Sequence, residues 1–174
     1  MQDNSLKIMY SIQSVKDKDI PTIQQLADAC WYDTYHNILS PDQLEWMFDW
    51  MYSRHSLEEQ LHTKGHRFFI LLDDQQPVGF FSLEKKDETC IIIQKLYLMP
   101  THQGKGLGKH MLEAAESEAR NWLDQIRSLE LHVNRQNKAV EFYKRMGFFV
   151  AEEGDFPIGK GYYMRDYVMR RLLD

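Results

Sequence analysis

The chain predicts a mixed α/β domain, and three observations carry that prediction. Short runs rich in β-branched and aromatic residues recur between turn residues. Apolar stripes at helical spacing separate some of these runs. A glycine-rich loop joins the most apolar run to the most clearly amphipathic stripe. The 174 residues, 43% hydrophobic and 27% charged, match an ordinary globular protein and one domain spanning 1–174.

The elements follow in order. Ile8 to Val15 alternates loosely and reads as a first strand. Asp19-Ile20-Pro21 offers a helix start, with Ile23, Leu26, Ala27, Cys30 and Trp31 recurring at helical spacing. Ser40-Pro41-Asp42 offers a second, since serine caps and proline suits the first helical position; Leu44, Met47, Phe48 and Met51 form its stripe. Arg67 to Leu72, the turn Asp73 to Pro77, and Val78 to Leu83 read as a hairpin. After the charged turn Glu84 to Glu88, Cys90 to Met99 begins with Ile91-Ile92-Ile93, the continuous hydrophobicity of a central strand covered on both faces. Leu107, Met111, Leu112, Ala115, Ala119 and Trp122 mark a helix, and Leu129 to Val133 another buried strand. Ala139, Val140, Phe142, Tyr143 and Met146 form a short helix stopped by Gly147. Phe148 to Ala151 and Tyr162 to Met169 read as the last strands, with Gly154, Pro157, Gly159 and Gly161 marking a loop between them.

Composition excludes several classes. A net charge of −5 argues against nucleic-acid binding, which favours a basic stripe. Two cysteines, Cys30 and Cys90, are too few for a disulfide framework, and no His/Cys cluster has metal-ligand spacing. The N-terminus lacks a basic start followed by an apolar run, and no segment reaches the roughly 18 apolar residues of a membrane span. A reducing cytoplasm is the expected compartment. Residues 1–60 hold ten acidic side chains against four basic ones, which favours a cationic partner or simply a solvated helix surface.

Gly104, Gly106 and Gly108 stand at alternate positions immediately before a helix. Glycine permits close backbone approach, and a helix start offers unpaired N–H groups with partial positive charge, so the stretch suits a phosphate. It is not a P-loop, which needs G-x-x-x-x-G-K-[ST], nor the G-x-G-x-x-G that opens a dinucleotide fold. Gln103-Gly104-Lys105-Gly106-Leu107-Gly108 fits Q/R-x-x-G-x-G/A after the strand ending Leu96-Tyr97-Leu98-Met99-Pro100. Ala139-Val140-Glu141-Phe142-Tyr143-Lys144-Arg145-Met146-Gly147-Phe148 fits A-x-x-F-Y-x-x-x-G-F. On these residues and the element order, the chain resembles the GNAT superfamily of acyl-CoA-dependent N-acetyltransferases from about Leu6 to Leu172.

The resemblance implies a central, mostly antiparallel sheet flanked by helices, acetyl-CoA as acyl donor, and no metal. It implies that backbone N–H groups of Gly104 to Lys109, with charge from Lys105 and Lys109, hold the pyrophosphate. It also implies that Leu96, Tyr97 and Leu98 present backbone groups to the pantetheine arm, their side chains being core by default. Relatives usually place an asparagine seven residues before the tyrosine, where this chain has Gln136; Asn137, six before, is the candidate coenzyme contact.

Acyl transfer to an amine needs a base for the amine and an acid for the departing thiolate. Tyr143 stands where the family often has its acid, although its apolar neighbours also suit a core tyrosine. His132, in Leu129-Glu130-Leu131-His132-Val133, is the candidate base, directly or through water, or else a histidine that hydrogen-bonds within its strand. Glu84 is the reserve and a candidate substrate contact.

For the acceptor, the resemblance points to the two N-terminal helices and the late loop. Trp31, Tyr35, Trp46, Trp50 and Tyr52 stand among Asp28, Asp33, Asp42, Glu45 and Asp49, a mixture suited to an ammonium, though aromatics at helical spacing are more often core. Phe156 to Gly161 is placed to close over the acceptor, with Asp155 and Asp166 as further contacts. The C-terminal half is similar to bacterial polyamine-acetylating members, so a small amine or polyamine is expected. A protein N-terminus or lysine, or a non-catalytic acyl-CoA-binding regulator, are the alternatives, and the state is a monomer or homodimer.

Overall fold

The computed structural model describes residues 10–174. Along them run β1 (Tyr10–Ser14), α1 (Ile20–Tyr35), α2 (Pro41–Tyr52), α3 (Arg54–His62), β2 (Arg67–Asp73), β3 (Gln76–Lys85), β4 (Cys90–Leu98), α4 (Leu107–Trp122), β5 (Ser128–Asn134), α5 (Ala139–Arg145), β6 (Phe149–Gly159) and β7 (Tyr162–Leu172). Ile8 and Met9, part of the expected first strand, lie outside the described residues.

Local chemistry fixes the helix ends. Ser40 accepts a hydrogen bond from the Gln43 N–H at 3.3 Å, and Pro41 supplies a fixed φ where no donor is needed. α5 ends at Gly147, whose φ of 87° lets the Phe148 N–H return to the Tyr143 carbonyl at 3.0 Å.

The strands form one seven-stranded sheet in the order β1-β2-β3-β4-β5-β7-β6. Pairing is antiparallel except between β4 and β5, so the sheet is mixed and mostly antiparallel, with the isoleucine-rich β4 at its centre. α1, α2 and α3 cover one face through Ile20, Ile23, Leu26, Tyr52 and Leu57 against Phe68, Ile70 and Phe80. α4 and α5 cover the other through Met111, Leu112, Ala115 and Val140 against Phe81, Ile91, Leu129 and Leu131. Fully buried side chains such as Phe80, Phe81, Leu71 and Ile91 each contribute roughly 1.5–3 kcal/mol of burial energy.

Two expectations need correction. A third helix, α3, follows the two expected in the N-terminal part; Ser53 caps it by accepting from the Ser56 N–H at 3.3 Å. The expected loop from Gly154 to Gly161 is mostly strand, because β6 continues to Gly159 and turns only at Lys160-Gly161. β6 is an edge strand, so Pro157 sacrifices no ladder hydrogen bond that a central strand would need.

Candidate active site

The site begins with a break in the sheet. β4 pairs with β5 only from Cys90 to Ile93, against Ser128 to Leu131, whereas its pairing with β3 continues to Leu98. Past Ile93 the β5-facing edge of Leu96, Tyr97 and Leu98 therefore has no strand beside it, a free edge of the kind an extended ligand can join. The Gln103 amide donates to the Leu98 carbonyl at 3.1 Å, holding the glycine loop to the end of this strand.

The loop then enters α4 with a left-handed backbone. Gly104 has φ 77° and Gly106, the N-cap, φ 81°, conformations that a Cβ would strain. A Cβ on either would meet nothing within 4 Å, so the space over the loop is open. Gly108 has a different reason: its Cβ would lie 3.1 Å from the Phe142 ring, so its smallness brings α4 and α5 together. Leu107 buries its side chain in the core beneath, while Lys105 and Lys109 stay at the surface. First-turn N–H groups have no intrahelical acceptor. A free strand edge, open space over paired glycines and a helix start fit an extended chain ending in a pyrophosphate.

Hydroxyls gather at the gap. Tyr35, at the end of α1, places its hydroxyl 3.4 Å from that of Tyr97 on β4. Burial raises the Tyr35 pKa, with the Asp166 carboxylate adding to the effect while Tyr97 and Asn137 oppose it. Tyr143 reaches the same gap from α5: burial first, then the nearby Tyr35 phenol, hold its proton on well above the ordinary tyrosine value. Tyr143 is thus a neutral phenol at physiological pH, able to donate. Asn137 accepts from the Ala139 N–H at 2.9 Å and so starts α5, and its effect on Tyr35 places it beside the gap as well.

The remaining expected residues divide. His132 is the exposed residue of β5, turned away from the α4–α5 core that its neighbours Leu131 and Val133 enter, and lies beside Phe156 at 5.5 Å between ring centres. Desolvation pulls its pKa below the ordinary histidine value, against the pull of Glu130, so its imidazole is neutral near pH 7. Glu84 lies level with Ile92 rather than with Tyr97, about 16 Å down the strand. It accepts from Gln94 and lies 3.5 Å from His66, which leaves it outside the group at the gap. Trp31 is buried in the helical layer directly behind the gap, its ring centre 4.4 Å from that of Tyr35 and its indole N–H given to the Leu44 carbonyl at 3.0 Å.

The β6–β7 hairpin reaches across to the helical layer. Its tip lies on α2, with Tyr162 5.5 Å from Trp46 between ring centres and the Tyr163 carbonyl accepting from Gln43 at 3.2 Å. Ile158 and Met164 pack into the helical core. One residue that pattern reading passed over is Lys95, buried on β4 and donating to Gln60 at 2.6 Å. Burial lowers its pKa to about 8. Its inward position could be counted from strand alternation, but the polar partner from α3 could not.

Residues 21–148 match the model of the acetyltransferase (GNAT) family. The chain belongs to that family, and it is an acetyl-CoA-dependent N-acetyltransferase by class. It is 28% identical to a spermidine N(1)-acetyltransferase of Thermoplasma acidophilum over 87% of this chain and 96% of that one. It is 25% identical to an uncharacterised N-acetyltransferase of Lactobacillus delbrueckii subsp. lactis over 93% of this chain and 96% of that one. Among solved structures, the PaiA N-acetyltransferase of Thermoplasma acidophilum in complex with coenzyme A superposes with a TM-score of 0.80 at 26% identity, covering 95% of this chain and all of that one. Among the described residues no group of three or more His, Cys, Asp or Glu side chains could hold a metal ion, and no helix is long and apolar enough to cross a membrane.

Proposed function

We propose that this enzyme acetylates a primary amine of a small molecule, with polyamines the first class of acceptor. The observation that carries the proposal is the gap between β4 and β5, at which the Tyr35, Tyr97 and Tyr143 side chains gather. One distant relative, the spermidine N(1)-acetyltransferase of Thermoplasma acidophilum, supports the class of acceptor. The contact between hairpin and α2 favours a slender acceptor over a folded protein surface.

Acetyl-CoA supplies the activated acyl group as a thioester. Backbone N–H groups of Gly104 to Lys109 bind its pyrophosphate, with Lys105 and Lys109 adding charge, and Leu96 to Leu98 pair with the pantetheine arm. A backbone N–H on that edge also stabilises negative charge at the reacting carbonyl. Tyr143 donates its proton to the leaving sulfur. His132, neutral near pH 7, sits one same-face position, about 7 Å, before Asn134 at the end of β5, and takes up the amine proton through water. Cys30 and Cys90 are buried free thiols, which suits a reducing cytoplasm.

The test is release of coenzyme A from acetyl-CoA against spermidine, putrescine, amino acids and short peptides. Turnover with small amines is the expected result. Turnover confined to peptides would replace this acceptor class with protein N-termini or lysines.

A further inference from the structure

Asp166 is a buried carboxylate without a complete set of donors. It lies on β7 directly opposite Asn134, the last residue of β5, on the rung where β5 has already parted from β4. The residue is 6% exposed, and its Oδ1 is enclosed with no hydrogen-bond partner among the described residues. A buried carboxylate oxygen is normally satisfied, because removing it from water without a donor is costly.

Its neighbours do not remove that cost. Arg135 is the cation that acts on Asp166, but its guanidinium is committed to Glu153 and Asp155 on β6. Asn134 turns its side-chain oxygen to the Gln136 N–H at 2.9 Å. Tyr35, close enough to feel the carboxylate, directs its hydroxyl towards Tyr97 at 3.4 Å. Burial raises the carboxyl to about 6, against the pull of Arg135, so Asp166 is charged at neutral pH. The gap thus holds a negative charge on the acceptor side, next to the tyrosine that also adjoins Tyr143.

We propose that Asp166 seats the acceptor's ammonium group at the gap, accepting its N–H bonds through Oδ1 and holding the nitrogen beside Tyr35 ahead of the deprotonation that frees it to attack. The proposal rests on the amine-acetylation reading of this site and names the group that selects a cationic acceptor. No proton changes place in this step; the ammonium replaces the donors that the fold omits.

The experiment compares the protein with Asp166→Asn and Asp166→Glu for spermidine KM, kcat and acetyl-CoA affinity, with thermal melting as the check on folding. The expected result for Asp166→Asn is a rise of roughly a hundredfold in spermidine KM with acetyl-CoA affinity unchanged. Asp166→Glu, which keeps the charge, should recover part of the loss. Wild-type turnover with an unchanged KM in a folded Asp166→Asn protein would overturn the role of Asp166 alone. Absence of wild-type turnover with spermidine and every other small amine would overturn the amine reading, and the role of Asp166 with it. If the asparagine protein failed to fold, the glutamate protein would decide: a KM equal to that of Asp166→Ala would overturn the role, and partial recovery over alanine would support it.

Discussion

Asp166→Asn should make the fold more stable while it weakens the enzyme. Burial moves this carboxyl from 3.8 to about 6, and Arg135 only partly opposes the shift. The groups around it are Tyr35 from α1, Asn134 and Arg135 from β5 and its following turn, and the β6 carboxylates Glu153 and Asp155 paired to Arg135. A carboxyl whose folded pKa lies above its unfolded value binds its proton more tightly in the fold. Stability is therefore greatest below the unfolded value and falls as pH rises from about 4 to about 6. Above that window the shift from 3.8 to about 6 corresponds to roughly 3 kcal/mol of destabilisation. Asparagine has nearly the same shape and never ionises, so it escapes this loss. Urea unfolding near neutral pH should give Asp166→Asn a higher unfolding free energy, by up to roughly 3 kcal/mol, and the two proteins should converge near pH 4. Equal stabilities near neutral pH, or a difference that does not change with pH, would refute the reasoning.

Other outcomes follow from the same structure. Tyr143→Phe should lower kcat roughly a hundredfold with little change in coenzyme affinity, measured by steady-state kinetics and calorimetry. Lys95 is buried with a pKa of about 8, below its unfolded value, so the fold should gain stability as pH rises from about 8 towards 10.5. Lys95→Met should remove that rise in denaturant titrations at the two ends of the window. Gly106→Ala forces a Cβ onto a φ of 81° and should cost about 1 kcal/mol in unfolding experiments, with weaker acetyl-CoA binding alongside. Trp46→Ala removes the surface on which Tyr162 and Gly159 rest, and should raise acceptor KM several-fold in the coenzyme-release assay while kcat changes less.

The parts of the fold that sequence exposes are those where one residue type has one physical use. Gly147 after an apolar helix, Ser40 before Pro41, and the isoleucines of β4 each have a single good place, and the structure puts them there. α3 escaped because it buries only Leu57 and Gln60, too little apolar surface for a stripe; the Ser53 cap and the spacing of Leu57 and Leu61 were its signal. Gly154 and Pro157 misled because such residues break central strands but not an edge like β6. For the site, the glycine loop was legible because backbone geometry is written in glycine. The grouping of Tyr35, Tyr97 and Asp166 depends on which helix covers which half of the sheet, and strand alternation alone does not tell it. The same limit explains Trp31, whose spacing suits either a pocket or a core and whose indole lies in the core.

The sheet separates two apolar cores, with α4 and α5 on one face and α1, α2 and α3 on the other. The proposed donor seat draws on the first layer and the central strand, while the acceptor side is framed by the second layer and the hairpin resting on it. Substitutions on the two sides can therefore accumulate with little interference, since distant sites without shared partners act almost additively. A lineage built this way can keep one currency of activated acyl group while it explores new recipients, and a laboratory seeking a new acceptor should randomise α1, α2 and the hairpin tip before touching the glycine loop.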